Sequence, residues 1–153
     1  APSAPLSSEF LSHLEYISPN EHEAFDITGI EIKDEKSARS AIEVLLDKGV
    51  KNALITLGSR GSVFGNRDTF VASPCVDYGK VVDPTAAGDS FVAAFCTAVC
   101  LKANYHDALV FASHAAGITV SRMGAQPSLP TIDEVLNFMN SNGYDCSVYK
   151  CLC

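Results

Sequence analysis

The stretch that decides the reading of this chain runs from Val81 to Val99, VVDPTAAGDSFVAAFCTAV. Two aspartates, Asp83 and Asp89, bracket a turn of small residues, and an almost wholly apolar segment follows at once. An ionised carboxylate at the mouth of a buried helix is costly unless something uses it. The AAGD turn opens that helix, so several free N–H groups should point outward at a positive dipole end. Such an end can hold a phosphate oxyanion, and it favours an ionised Asp89. Alternatively Asp89 merely caps the helix, as aspartates at helix starts commonly do; local chemistry leaves both open.

Working outward, LEYIS (Leu14 to Ser18) reads as a strand ending at Pro19. NEHEAFDITG follows as a helix, with Asn20 as N-cap and Gly29 as its stop. Ala38, Ile42, Leu45 and Leu46 fall on one face of a second helix, ended by Gly49. ALITL (Ala53 to Leu57) fits a strand buried on both faces, and SVFGN and TFVAS form a hairpin around NRD. Beyond the apolar helix come a helix from Tyr105 to Val120, a loop at RMGAQPSLP, and a last helix opened by the TIDE capping box, Thr131 with Glu134. Ile132, Val135, Leu136 and Met139 form its buried stripe. Alternating strands and helices imply an α/β layered sheet, with no internal repeat and no linker dividing the chain. In open α/β sheets ligands bind beyond the carboxyl ends of strands, so PNEHE, TLGSRG and DPTAAGDS should gather there.

Composition narrows the partners. The 153 residues suffice for one core, and a net charge of −7 argues against nucleic acid or an acidic membrane surface. APSAPLSSEF lacks the features of a signal peptide, and the apolar run Phe91 to Leu101 is too short to span a bilayer. The chain opens on Ala1 and is expected to begin inside a longer protein. Of the six cysteines, Cys96 and Cys100 should behave as small hydrophobes within the apolar run, and Cys75 is isolated. Cys146, Cys151 and Cys153 crowd the end without a second ligand cluster, so residues 141–153 read as a poorly ordered tail. A reduced, cytoplasmic protein is expected. His13, His22, His106 and His114 lack metal spacing and read as surface or satisfied core residues. GxxxxGK[ST], GxGxxG and GxSxG are absent.

VVDPTAAGDSF resembles the C-terminal signature of the ribokinase/phosphofructokinase-B family of carbohydrate kinases. PNEHEA resembles its N-x-x-E motif, TLGSRG its nucleotide loop, and GAQPSLP its ribokinase branch. All four occur in the family's order, over a match from about Ala4 to Met139. The resemblance implies a three-layer α/β/α domain over residues 1–140, its C-terminal nucleotide-binding half, with a mostly parallel sheet and a hairpin. It implies ATP-dependent phosphorylation of a small sugar, with Asp89 as general base and the amides of Ala86, Ala87 and Gly88 as anion hole. Asn20 and Glu23 match residues that organise Mg²⁺ through water. Thr56, Leu57, Gly58, Ser59, Arg60 and Gly61 match the loop along the nucleotide, and Ser113 a position near the adenine. Asp83, Thr85, Thr119, Arg122, Gly124 and Ser128 match positions around K⁺, mostly through carbonyl oxygens.

Pro84 stands in place of a common threonine and Ala86 in place of a common glycine. Family members are roughly double this length, and their glycine-rich sugar-binding motif and lid strands are missing here. The chain alone is therefore expected to be inactive, with an exposed sheet edge that pairs with another chain. A non-catalytic nucleotide-binding or interaction module stays open, as does a nucleoside kinase or fructokinase of the same family.

Overall fold

The computed structural model describes residues 6–152, the last three by backbone alone; Ala4, where the resemblance begins, and Cys153 lie outside them. The chain divides into two compact units, Ala1–Pro74 and Cys75–Cys153, where an undivided chain was expected. The division follows the secondary structure: every described strand precedes Pro74, and the described elements after it are helical.

The first unit holds α1 (Ser8–Ser12), β1 (Tyr16–Ile17), α2 (Glu21–Thr28), α3 (Glu35–Asp47), β2 (Asn52–Thr56), β3 (Ser62–Gly65) and β4 (Phe70–Ser73). Asn20 caps α2, and Gly29, at φ +74°, ends it by donating its N–H to the Phe25 carbonyl. That left-handed turn is one glycine adopts without steric cost. Asp34 caps α3, whose buried residues Ala38, Ala41, Ile42, Leu45 and Leu46 recur at helical spacing.

The sheet runs β1-β2-β3-β4. β1 pairs parallel with β2, while β2–β3 and β3–β4 are antiparallel. The sheet is thus mixed rather than mostly parallel. The segment Leu57–Gly61 between β2 and β3 is far too short for a parallel crossover, which needs about a dozen residues or more. The β3–β4 hairpin forms around Asn66 to Asp68, where Asn66 Oδ1 accepts from the Asp68 and Thr69 amides. Ala24, Ile32, Ala41, Ile42, Leu45, Ala53, Ile55 and Val63 form the core between α2–α3 and one sheet face.

Gly65 packs closely against that core. A Cβ built there would lie 2.5 Å from Ile42 Cγ2. Gly65→Ala is expected to cost about 1–3 kcal/mol, the range for overpacking, as measured by urea unfolding.

The second unit holds α4 (Ala87–Cys100), α5 (Tyr105–Val120) and α6 (Ile132–Ser141). Ser90, Phe91, Phe95 and Ala98 are buried along one stripe of α4, while Ala93, Cys96 and Cys100 are exposed. The apolar helix is therefore half-buried, and these two cysteines do not serve as core hydrophobes. The 3.6-residue period sets 91, 95 and 98 on one side and 93, 96 and 100 on another. α5 is buried along most of its length. Its His114 is a satisfied core residue, with Nδ1 2.8 Å from the Val110 carbonyl and Nε2 3.3 Å from Asn142 Nδ2. Burial pushes the imidazole below its ordinary value, against the opposing Val110 hydrogen bond.

The terminal segment packs where fraying was expected. A 3₁₀ turn covers Ser147–Leu152, and Tyr149 is buried. Its ring stacks on Phe111 at 4.4 Å between centroids, and its hydroxyl donates to the Asp107 carbonyl at 3.0 Å.

Candidate functional site

In the second unit the candidate site is built on the start of α4. Asp89 is the third helical residue, not the cap; Ala86 is the N-cap, at φ +64° with no side-chain hydrogen bond. The cap-only reading of Asp89 is thereby corrected. A left-handed alanine is unusual, since Cβ crowds the following carbonyl. The turn closes with the Ala87 N–H donating to Pro84 O at 3.2 Å and the Ser90 N–H to Ala86 O at 2.9 Å. The Ala87 amide is therefore engaged, while those of Ala86, Gly88 and Asp89 have no acceptor among the described residues. Nothing lies within 4 Å of a Cβ built on Gly88, so the approach to these amides is open. The Asp89 carboxylate is exposed and makes no hydrogen bond among the described residues. Its position on the outer side of the first turn accounts for both.

Asp83 ties the turn to the loop after α5. Its Oδ1 accepts from the Thr85 N–H and its Oδ2 from the Gly124 N–H, both at 2.9 Å. The Val82 and Asp83 amides both donate to the Val120 carbonyl. Hydrogen bonds from Thr85, then from Gly124, hold the Asp83 carboxyl below the usual carboxylate range. Gly124 reaches Asp83 from a backbone at φ +88°. The structure thus gathers Asp83, Thr85 and Gly124, and the carbonyls of all three accept no hydrogen bond among the described residues.

At the other positions of the K⁺ set the side chains are engaged within the fold. Thr119 is fully buried, its hydroxyl within 2.9 Å of Ser90 Oγ and of the Ala115 carbonyl. Ser128 is buried, with its hydroxyl on the Ala125 carbonyl. Arg122 makes a two-point ion pair with Glu134, a residue the sequence marked only as part of a capping box. Ser113 is buried, and its Oγ accepts from the Val76 N–H at 3.0 Å. None of the described residues forms a cluster of three or more His, Cys, Asp or Glu that could hold a metal ion.

The Arg122 hydrogen bonds, then that from the Thr131 backbone, lower the Glu134 pKa from its ordinary 4.5 to about 2. A depressed carboxylate adds stability above its unfolded value, and that stability is lost as pH falls. Between pH about 4.5 and 2 the wild-type chain should lose stability more steeply than Glu134→Gln, as read by thermal unfolding across that window.

In the first unit, PNEHE and TLGSRG do meet. Asn20 and Thr56 form a parallel bridge, and the Thr56 N–H donates to the Pro19 carbonyl at 3.2 Å. Asn20 and Glu23 form a reciprocal capping box: Asn20 Oδ1 accepts from the Glu23 N–H and Glu23 Oε2 from the Asn20 N–H. This leaves the Asn20 amide NH₂ and Glu23 Oε1 without a hydrogen-bond partner among the described residues. Thr56 ends β2, and Gly58–Arg60 make a 3₁₀ turn closed by the Leu57 N–H on the Gly61 carbonyl at 2.9 Å. Gly58 and Gly61 hold φ of +57° and +96°, and Ser59 is exposed. Arg60 is anchored on Glu21 at 2.7 Å and on the Ile32 carbonyl at 3.0 Å, so its guanidinium is largely spoken for.

The sequence profile of the pfkB family of carbohydrate kinases matches residues 1–132. The ribokinase of Haemophilus influenzae is 42% identical over 142 residues, which are 91% of this chain and 45% of that protein. A bifunctional ribokinase/ribose-5-phosphate isomerase A from Fructilactobacillus sanfranciscensis is 39% identical over 93% of this chain and 26% of its own. Among solved structures, Arabidopsis thaliana ribokinase complexed with ribose and ATP superposes with a TM-score of 0.85 at 33% identity, covering 89% of this chain and 44% of that one. The fold is thus ribokinase-like α/β. The chain belongs to the pfkB family of carbohydrate kinases. It spans less than half the length of these relatives.

Proposed function

We propose that this chain supplies the nucleotide-binding and base-bearing part of an ATP-dependent sugar kinase of ribokinase type. The observation that carries the proposal is the start of α4, where the Ala86, Gly88 and Asp89 amides and the adjoining carboxylate have no partner among the described residues. The Asp89 carboxylate accepts the proton of a sugar hydroxyl as its oxygen attacks the γ-phosphorus. The free amides offset negative charge that grows on the transferring group as ADP leaves. The turn Thr56–Gly61 lies along the nucleotide. Asn20 and Glu23 would hold the water shell of a Mg²⁺ bound with the nucleotide, which would supply neutralisation of phosphate charge.

The same reading assigns a monovalent cation to the Asp83–Thr85 turn and the Gly124 loop. Their unpaired carbonyls fit K⁺, whose hard, weakly demanding shell takes neutral oxygens. An intact kinase containing this segment should turn over several-fold faster in potassium than in sodium or lithium. Equal initial rates in the three buffers would remove the cation from the reading.

The location proposed is the cytoplasm; no helix among the described residues is long and apolar enough to cross a membrane. A second reading is a non-catalytic nucleotide-binding module, in which the start of α4 holds phosphate and Asp89 accepts no proton. Coupled assay of ribose phosphorylation separates the two. The 153-residue chain alone should give no sugar phosphate, and adding the remaining portion of the kinase should restore turnover. Failure of the reconstituted enzyme to phosphorylate any pentose, hexose or nucleoside would favour the module.

A further inference from the structure

A cleft of about 410 Å³ opens between the outer side of α3 and the tip of the β3–β4 hairpin. Arg39, Ile42, Glu43, Leu46 and Asp47 line it from α3, at the spacing of one helix face. The hairpin tip, Asn66 to Phe70, forms the facing wall. β3 runs from Ser62, near the turn Leu57–Gly61, to Gly65, next to the tip. A strand of that length spans about 10 Å, so the cleft is separate from the segment assigned to the nucleotide.

Both ends of the cleft are fixed. At one, the Arg39 guanidinium lies 4.0 Å from the centroid of the Phe70 ring. At the other, Arg67 reaches from the hairpin to the Asp47 carboxylate and to the Leu46 carbonyl, each at 3.0 Å. That carbonyl belongs to the last turn of α3, where helical partners run out. Between the two ends the charges are unmatched. Glu43 stands one helical turn from Arg39, a spacing at which opposite charges often meet, yet the two form no ion pair. Arginine on the N-terminal side is the weaker orientation for such a pair, and the Phe70 ring competes for the guanidinium. The Glu43 and Asp68 carboxylates have no partner among the described residues. Arg67 neutralises Asp47, so the cleft offers one cation and two anions on a preformed frame, above the side chains of Ile42 and Leu46.

This pattern selects its ligand. Glu43 and Asp68 repel a phosphate or sugar phosphate, and Arg39 repels a bare cation. A small zwitterion satisfies both signs at once. We infer that the cleft binds a free α-amino acid with an apolar side chain, its carboxylate on Arg39 and its ammonium on Glu43 and Asp68. The guanidinium presents paired N–H donors that match a carboxylate, while the ammonium donates to carboxylate oxygens. Side chains one turn apart leave the helix about 5–6 Å from each other, so the two ends of one amino acid fall between them. The apolar side chain then lies over Ile42 and Leu46, beside the Phe70 ring.

The test is amide NMR of the isotope-labelled full chain titrated with L-leucine, L-leucinamide and N-acetyl-L-leucine. Leucine should shift the amides of Glu43, Leu46 and Arg67 to Phe70 with a Kd on the order of 1 mM, the affinity of a small ligand held by exposed ion pairs. Leucinamide lacks the carboxylate and N-acetyl-leucine lacks the ammonium; each should bind about threefold to tenfold more weakly, the scale of one hydrogen bond. Glu43→Gln should weaken leucine binding by a similar factor and leave the thermal unfolding midpoint in place, because Glu43 is exposed and has no partner to lose. Arg39→Gln should weaken leucine but leave leucinamide unchanged, which separates the carboxylate contact from a loosened fold. Absence of shifts at about 20 mM leucine, roughly twenty times the expected Kd, would overturn the site. Equal binding of the three compounds would show that the charges do not select the ligand, and overturn the assignment. Shifts that survive both substitutions would place the amino acid elsewhere and overturn it too.

Discussion

In an intact kinase containing this segment, Asp89→Asn is expected to lower kcat at least about a hundredfold, the usual scale for losing a general base. Nucleotide affinity should stay within a few-fold, and stability within about 1 kcal/mol, the most that a charge in a helix's first turn ordinarily contributes. The structure makes this a clean substitution. Asp89 is not the cap of α4, has no hydrogen-bond partner among the described residues, and is exposed, so asparagine breaks nothing in the fold. Asparagine keeps the shape and loses only the capacity to accept a proton. Steady-state rates with saturating ATP and ribose, with ADP affinity measured in parallel, check it. A variant turning over within a few-fold of wild type would mean that the reaction's proton goes elsewhere.

Local chemistry made much of the fold legible. Asn20 and Gly29 bound α2 as their residue types demand, and the Tyr105–Val120 helix and the TIDE capping box appear as read. The hairpin was legible too, and so, in principle, was its antiparallel pairing with β2, because the segment after Thr56 is too short for a crossover. What stayed hidden depends on partners distant in sequence. Asp83 and Gly124 are 41 residues apart, and neither announces the other. The Arg122–Glu134 pair was masked because Glu134 already had a local role at the helix start. At the candidate site the motif order pointed to this turn, but only coordinates reveal that the Ala87 amide is engaged while those of Ala86, Gly88 and Asp89 have no acceptor among the described residues. The N-x-x-E spacing likewise hid a local role, since Asn20 and Glu23 cap each other.

The misreading of the tail leads to the largest expected stability effect. Tyr149→Ala should destabilise the second unit by about 3–5 kcal/mol, as for other buried aromatics truncated to alanine. Against a total of about 5–15 kcal/mol for an ordinary domain, that is enough to unfold a marginal one. The ring stacks on Phe111 and the hydroxyl holds the Asp107 carbonyl, so Tyr149 grips two successive turns of α5, the helix that carries Ser113 and Thr119. Tyr149→Phe keeps the stack and should cost only about 1 kcal/mol, the net worth of one hydrogen bond. The two variants differ in pH dependence as well. Burial first, then the Asp107 and Cys146 charges, pushes the Tyr149 phenol above its ordinary value of 10. A raised pKa gives stability that is complete below pH about 10 and is lost as pH rises beyond it. Wild type should therefore show an alkaline loss above pH about 10 that Tyr149→Phe lacks, measurable by urea unfolding between pH about 8 and 11. A Tyr149→Ala chain with unchanged urea midpoint would return the tail to the frayed segment its cysteines first suggested.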